Sequence, residues 1–276
     1  AEISVAVNRA VGISLASAIL DVTWRLRERH GLPPWSSVLA VSQWAGRGQL
    51  RRPWRSPAGN CYVTLRWPDP NAETRDLVPL LVGLALAEAL DELAGVPLGA
   101  PPATRVKWPN DLLLGERKAG GILVEERAGA AVAGIGLNLV SPAETTAAMD
   151  RDASGEPPDI AGHRELPMGV LPPDLARRGP LGLWLALVGL MRRGTLSTAE
   201  NMDSRPAWLP RLERRLAWFG REVTVLDASL AGDTRHFDKI TGKIVGIHKD
   251  GSLRLSGLKG EYRLTSGTIL PHERGG

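Results

Sequence analysis

Four arginines lie in a glycine-bearing segment that follows a short apolar stretch. Residues 46–55 read GRGQLRRPWR, with arginine at four of ten positions. Glycines after a strand let backbone N–H groups approach an anion, and guanidinium groups bind phosphate or carboxylate. The segment predicts an anion-binding loop, although a solvated basic loop has the same composition. A dinucleotide fingerprint is disfavoured because Arg51 stands where the third glycine belongs.

A second group of polar residues surrounds a proline at residues 107–111, KWPND. Because Pro-Asn favours a turn, Lys107, Asn110 and Asp111 are expected close together at a strand end. A carboxylate there is suited to hold a magnesium ion or to orient an attacking amine. A polar hairpin turn with a local asparagine hydrogen bond is the alternative interpretation.

Two further motifs place glycines inside apolar strands. Residues 117–125 read RKAGGILVE, and residues 134–138 read GIGLN. Small residues in a strand allow a flat ligand to lie against the backbone. Lys118 would then reach the carboxylate or phosphate of that ligand, and Asn138 offers the donor and acceptor that an adenine edge needs. The alternative for residues 117–125 is a hairpin turn that leads into a core strand. The alternative for residues 134–138 is a bulged strand.

The elements that must position these motifs follow from periodicity and breakers. Helices are predicted at residues 10–30, 74–94, 181–192 and 207–219, and strands at 36–43, 60–67, 104–108, 111–114, 119–126 and 130–140, with 45–57 as a loop. Short connections between consecutive strands imply antiparallel pairing. The prediction is an α+β domain over residues 1–219, with a long insertion at 141–180 that holds at most one short helix.

The chain changes in character after residue 219. Short strand-forming segments and an Asp250-Gly251 hairpin signal predict a small C-terminal barrel domain over residues 220–276. Only Phe237 and Tyr262 are aromatic there. A nucleic-acid-binding module that stacks bases requires more aromatic side chains. A nucleic-acid function is therefore disfavoured.

The amino-acid composition excludes several classes of protein. The 276 residues are 43% hydrophobic and 23% charged, which excludes a disordered chain. A single cysteine, Cys61, excludes a disulfide framework, and the five histidines have no zinc-ligand spacing. No apolar run is long enough to span a membrane and no signal-peptide pattern is present. We therefore expect a cytoplasmic protein that binds neither membrane nor DNA.

The four motifs in this order resemble those of the biotin protein ligase family: GRG after a strand, KWPND, RKxxGILxE and GxGxN. The resemblance covers residues ~14–140 closely and extends loosely to the C-terminal region, which is similar to that family's SH3-like barrel. It implies a mixed or antiparallel sheet with packed helices, in the biotin/lipoate ligase-like form. The chain is similar to the non-repressor form, without an N-terminal helix-turn-helix.

The resemblance also implies a two-step reaction. Biotin and ATP, with Mg²⁺, would give biotinyl-5′-AMP, and a lysine of a biotin carboxyl carrier protein would then take the biotinyl group. The implied catalytic residues are Lys118, Arg47 and Asp111, the last also as a candidate Mg²⁺ ligand. Biotin would contact Ser14, Gln43, Gly46, Arg47, Lys118, Gly120, Gly121 and Leu123, and ATP or the adenylate would contact Arg47, Gly48, Trp54, Lys107, Asn110, Lys118 and Asn138. A homodimer is implied by analogy only.

The chain departs from the family pattern at three positions. Leu15 replaces a threonine beside Ser14, while Gln49 and Arg51 stand where the loop usually has arginine and glycine. Loss of a buried hydroxyl contact costs about 1 kcal/mol, so weaker retention of biotin or of the adenylate is expected. Two alternatives stay open: a lipoate or octanoate ligase, and a non-catalytic ligase-like protein that only captures biotin or its adenylate.

Overall fold

The computed structural model describes residues 5–8, 19–48, 53–56, 58–140, 166–196, 206–233 and 235–272. Most of the predicted insertion therefore lies outside the described residues, as do Ser14, Leu15, Gln49 and Arg51. The described chain divides into two compact units: Ala1–Asp69 with Glu116–Val188, and Pro70–Gly115 with Gly189–Gly276. The predicted domain boundary after residue 219 stays a prediction.

Five strands lie side by side in the first unit, in the order β1-β2-β5-β9-β8. They are β1 (Val5–Asn8), β2 (Ser37–Ala40), β5 (Cys61–Arg66), β8 (Arg117–Arg127) and β9 (Ala130–Leu137). Only β1 and β2 pair in parallel, and the other neighbours are antiparallel. The short Ala128-Gly129 turn fixes the β8–β9 pairing, as predicted. Strand β1 has no counterpart in the sequence prediction.

Helix α1 (Ile19–His30) covers this sheet. Its buried residues Leu20 and Trp24 pack with Ala130 and Val132 of β9. Thr23 hydrogen bonds through its hydroxyl to that of Thr64 on β5, at 2.5 Å. The remaining elements of the unit are the two-stranded sheet of β3 (Gln43–Arg47) and β4 (Pro53–Ser56), the short helix α3 (Pro173–Ala176) and most of α4 (Gly179–Leu196).

The β3–β4 pair corrects the prediction of a loop over residues 45–57. The two strands are antiparallel, with Gly46 opposite Trp54. A Cβ at Gly46 would collide with the Trp54 carbonyl oxygen, so the glycine allows the two backbones to pair closely. The sequence signal was misread because the glycines and prolines that suggest a loop also occur in short, irregular edge strands.

The second unit contains the remaining elements. They are α2 (Val78–Leu93), β6 (Thr104–Lys107), β7 (Asp111–Leu114), α5 (Trp208–Arg215) and the strands β10 (Glu222–Leu230), β11 (His236–Ile247), β12 (Leu253–Gly257) and β13 (Gly260–Pro271). Strands β10 to β13 close into a barrel, which confirms the predicted C-terminal barrel. Its SH3-like class stays a prediction. The mixed α+β fold with an antiparallel sheet is confirmed.

Buried polar contacts join the parts of the second unit. Asp91 of α2 accepts hydrogen bonds from the backbone N–H groups of Ala103 and Thr104 and pairs with Arg215 at 2.6 Å. The predicted helix over residues 207–219 ends early at Arg215. Leu216 is extended and forms an isolated bridge with Val106 of β6. This pairing satisfies backbone groups that would otherwise bond within a further turn of the helix.

Burial controls the chemistry of the single cysteine. Cys61 on β5 is fully buried, and desolvation raises the pKa of its thiol to about 12. The neighbouring Tyr62 also has a pKa raised to about 12, mainly by desolvation, while a hydrogen bond with Asn60 lowers it and Cys61 raises it. Since the thiolate is the reactive form, Cys61 is a structural residue.

We expect Cys61 to resist modification in the native protein. A thiol reagent such as Ellman's reagent at pH 8 should give no signal from native protein and one equivalent from urea-unfolded protein, because unfolding exposes the group and restores an ordinary thiol pKa. Rapid, stoichiometric reaction of the native protein would contradict the buried position.

Candidate functional site

The first part of the candidate site is an oriented glutamine beside α1. Gln43 begins β3, and its Oε1 accepts a hydrogen bond from the backbone N–H of Ile19 at 3.1 Å. Its Nε2 donates to the hydroxyl of Ser56 on β4 at 3.0 Å. Hydrogen bonds thereby hold both the oxygen and the nitrogen of the side-chain amide in place. Ser56 was not identified from the sequence, because serine in a loop-like segment carries no signal of its own.

An indole forms the centre of the site in the first unit. Trp54 on β4 lies against Gly136 on β9, where an added Cβ would come within 3.0 Å of the ring atom Cζ2. The Lys118 ammonium lies 5.1 Å from the centroid of the same ring, within the range of a cation–π interaction. The structure therefore brings together Trp54 of β4 and Lys118 of β8, two of the predicted site residues, next to Gly136 of β9.

The main chain around Lys118 is tied on both sides. Lys118 N donates to Pro167 O at 2.9 Å, and its carbonyl accepts from Gly169 N at 2.8 Å. Asn138 Nδ2 donates to the carbonyl oxygens of Lys118 and Gly169, each at 3.1 Å. Asn138 is buried and holds the segment around Gly169, within the predicted insertion, against β8. Its predicted contact with adenine stays a prediction.

The predicted wall of small residues lies on the same two strands. Gly120 and Gly121 of β8 are buried and stand opposite Leu137 and Gly136 of β9. Leu123 is half-buried and packs against the cluster formed by α1 and β9. The glycines leave the backbone of β8 and β9 bare next to the indole, while Leu123 also contributes to the core of the unit.

Arg47, at the end of β3, faces acidic side chains. Its Nη2 lies 2.7 Å from Asp21 Oδ1 and 3.6 Å from Glu125 Oε1. Gly46 precedes it as a buried residue, and Gly48 follows it as a half-buried one. The structure thus places the predicted anion-binding arginine in an ion pair that the sequence did not reveal, because Asp21 is 26 positions away.

The KWPND motif belongs to the second unit. Lys107 and Asp111 are both buried and form an ion pair of 3.1 Å, and the intervening Trp108–Pro109 peptide bond is cis. Trp108 donates its indole N–H to the Gly251 carbonyl in the barrel at 2.9 Å. Asn110 is half-buried. The predicted clustering of Lys107 and Asp111 at a strand end is thus present.

A resident metal ion does not fit the described residues. The Asp111 carboxylate contacts the Lys107 ammonium, and the described parts of the chain contain no group of three or more His, Cys, Asp or Glu side chains placed to bind a metal. The Mg²⁺ role of Asp111 stays a prediction. Within the same parts, no helix is long and apolar enough to cross a membrane.

The Trp54–Gly136 contact predicts that Gly136→Ala destabilises the protein by about 1–3 kcal/mol, because a rigid ring must move to admit the methyl group. Gly134→Ala is the matched control on the same strand. Its methyl group would meet the flexible end of Leu20 at 3.2 Å, so it should cost less. Urea unfolding measures both, and an equal or larger loss for Gly134→Ala would contradict the interpretation.

Known proteins resemble both the sequence and the fold. Residues 20–139 match the model of the Biotin/lipoate A/B protein ligase family. The chain is 38% identical over 120 residues to the biotin--[acetyl-CoA-carboxylase] ligase of Paracoccus denitrificans, covering 41% of this chain and 48% of that protein. It is 35% identical over 118 residues to the bifunctional ligase/repressor BirA of Bacillus subtilis (strain 168), covering 40% and 34%. The chain thus spans less than half the length of these curated relatives.

The solved structures agree on the fold. The biotin protein ligase from Aquifex aeolicus in complex with biotin and ATP matches with a TM-score of 0.64 and 24% identity, covering 90% of this chain and 94% of that one. At that identity the likeness shows the fold alone. Residues 20–139 are thus similar to the Biotin/lipoate A/B protein ligase family, and the predicted resemblance of the chain to biotin protein ligases is confirmed.

Proposed function

We propose that the protein is an ATP-dependent biotin protein ligase that forms biotinyl-5′-AMP and transfers biotin to a lysine of a biotin carboxyl carrier protein. The observation that carries the proposal is the Lys118 ammonium held beside an indole that packs on Gly136 of β9. Relatives named as biotin--[acetyl-CoA-carboxylase] ligases support it, as does a neighbour solved with biotin and ATP.

In the first step, a biotin carboxylate oxygen attacks the α-phosphorus of ATP. A new P–O bond forms, the bond to the bridging oxygen breaks, and pyrophosphate leaves with that electron pair. Both reactants are anionic, so a fixed positive charge stabilises the transition state more than the separated substrates. Lys118 is suited to this role because backbone contacts with Pro167 and Gly169 fix its strand position. Arg47 would supply a second cation.

The indole and the glycines suit the flat parts of the adenylate. Aromatic rings stack on one another without needing a hydrogen-bond partner. Trp54 is half-buried, so part of its ring surface remains accessible for stacking. Gly120, Gly121 and Gly136 add backbone without side-chain bulk. We assign the biotin pocket to this wall with Gln43, and the adenylate to Trp54, Lys118 and Asn138.

In the second step, the acceptor lysine nitrogen attacks the acyl carbon of the adenylate. A C–N bond forms, the C–O bond to phosphate breaks, AMP leaves with that electron pair, and the amine proton is released to water. Asp111 is the residue we assign to orient that amine, as the resemblance to biotin protein ligases implies, while Lys107 and Asn110 of the same motif are assigned to the adenylate. The Lys107–Asp111 ion pair holds the buried carboxylate in place.

The second candidate is a lipoate or octanoate ligase, because the matching family model covers both biotin and lipoate ligases. The same first step applies to either acid, since each presents a carboxylate to ATP. The two candidates differ in the ring or tail that the pocket accepts. A protein that captures biotin without reacting is the third outcome of the experiment below.

We expect exchange of labelled pyrophosphate into ATP that depends on biotin, with no acceptor protein present, in a buffer containing Mg²⁺. Exchange requires reversible formation of the acyl-adenylate and nothing further. Lipoate and octanoate run in parallel should give none. Exchange with either of those acids instead would transfer the chain to the second candidate, and biotin binding without any exchange would indicate capture only.

The Lys118→Ala variant should lower the biotin-dependent exchange rate by about 10²–10³-fold, because it removes a fixed cation from the developing charge. Its backbone ties remain, so the fold should persist by urea unfolding. Arg177→Ala is the control, since it removes a positive charge from an exposed ion pair of the same unit. Similar exchange rates for both variants would contradict the role of Lys118.

A further inference from the structure

The predicted anion-binding arginine is part of a four-residue charge cluster on α1, β3 and β8. Arg47 Nη2 contacts Asp21 at 2.7 Å and lies 3.6 Å from Glu125. Arg127 pairs with Glu125 at 3.1 Å and lies 3.8 Å from Asp21. Two guanidinium groups thus alternate with two carboxylates, and the four formal charges cancel.

A buried tryptophan organises the acidic half of this cluster. Trp24 is three residues after Asp21 on α1, so both side chains share a helix face. Its indole N–H donates to Glu125 Oε2 at 2.9 Å, and the Arg127 guanidinium lies 4.8 Å from its ring centroid. Because Trp24 is 1% exposed, it anchors Glu125 and Arg127 to the core of the unit.

Among the described residues, most of the hydrogen-bond donors of Arg47 have no partner. A guanidinium carries five N–H donors in a planar fork. Both carboxylate contacts use Nη2, and within the described residues the structure gives no hydrogen bond at Nε or Nη1. The Arg47 side chain is 40% exposed and that of Asp21 is 25% exposed. One corner of the fork is therefore held while the other nitrogens remain accessible to an anion.

We propose that Asp21 is a positioning residue that holds Arg47 at the end of β3, with the remaining nitrogens of its guanidinium directed to the carboxylate or phosphate of the substrate. This inference rests on the proposed function. Glu125, anchored by Trp24, supplies the second and longer contact. An arginine side chain loses considerable rotamer freedom on ordering, and a partner that orders it beforehand lowers the cost of binding an anion.

A role of the two carboxylates as competitors of the substrate predicts a change in anion affinity of the opposite sign. If the carboxylates competed with the substrate for Arg47, removing the Asp21 charge would tighten anion binding. The geometry favours positioning, because both contacts converge on one nitrogen and a substrate need not displace them. The two roles are therefore separated by the direction of a single change in affinity.

The test is calorimetric binding of biotin alone and of ATP alone to the wild-type protein and to Asp21→Asn, which removes the charge and keeps the shape. We expect the dissociation constant of at least one ligand to rise about fivefold, and the rise to shrink in high salt, which screens exposed ion pairs. Asp21→Glu should restore much of the affinity. The ligand that responds identifies whether Arg47 receives carboxylate or phosphate.

A double-variant cycle shows whether Asp21 acts through Arg47. In the Arg47→Ala background the Asp21→Asn change should have no further effect, because coupled residues are non-additive. Asp174→Asn is the matched control: Asp174 is also in the first turn of its helix and also pairs with an arginine, Arg177. Stability alone is not diagnostic, since a first-turn aspartate stabilises a helix by itself.

Each outcome decides between the inference and the proposed function. Unchanged or tighter binding by Asp21→Asn, or the same loss in the Arg47→Ala background, overturns the positioning role even if the wild type catalyses exchange. Weaker binding by Asp21→Asn with no exchange by the wild type supports the positioning role and overturns the ligase assignment. A wild type that binds neither ligand overturns both.

Discussion

The close contact between the Trp54 indole and the backbone of Gly136 fixes where the aromatic ring lies in the first unit. A ring can lie on a strand only where that strand carries no side chain, and β9 provides this at Gly136. The opposing Gly121 on β8 keeps the neighbouring strand equally bare. With the ring fixed, the Lys118 ammonium has an aromatic face at 5.1 Å. A flat ligand and a cation are thereby accommodated by one arrangement.

Side-chain amides and carboxylates then hold the irregular segments around this contact. Asn60 Oδ1 accepts hydrogen bonds from the N–H groups of Leu139 and Val140, and Asn138 bridges the carbonyls of Lys118 and Gly169. Buried backbone groups outside a regular ladder need such partners. In the second unit, Asp91 has the same function for residues 103 and 104. These polar ties fix the strand ends from which the candidate site is built.

The sequence identified what depends on local pattern. Short connections predicted the antiparallel pairing of β6 with β7 and of β8 with β9, and an Asp-Gly turn predicted the hairpin that joins β11 to β12. The motif residues Trp54 and Lys118 were identified and are adjacent in space. Their ligand roles stay predictions.

Residues that act over long sequence separations were missed. Ser56 beside Gln43, Asp21 beside Arg47 and Asp91 beside Arg215 are 13, 26 and 124 residues from their partners. A polar residue of this kind is ordinary in its own neighbourhood, and only the fold supplies the contact. The loop predicted at residues 45–57 failed for a related reason, since β3 and β4 pair through a backbone approach that periodicity does not reveal.

The positive net charge of the chain must be considered together with the partners of its arginines. The chain has a formal charge of +4, yet several arginines, such as Arg127, Arg211, Arg215 and Arg254, pair with carboxylates in the structure. Such pairs cancel at short range and leave little field to attract a polyanion. A single guanidinium with one corner held and the others accessible is instead selective for a small anion in a defined orientation. The mild basicity of the chain is thus compatible with a small-molecule site built from a few placed cations, and it needs no nucleic-acid partner to explain it.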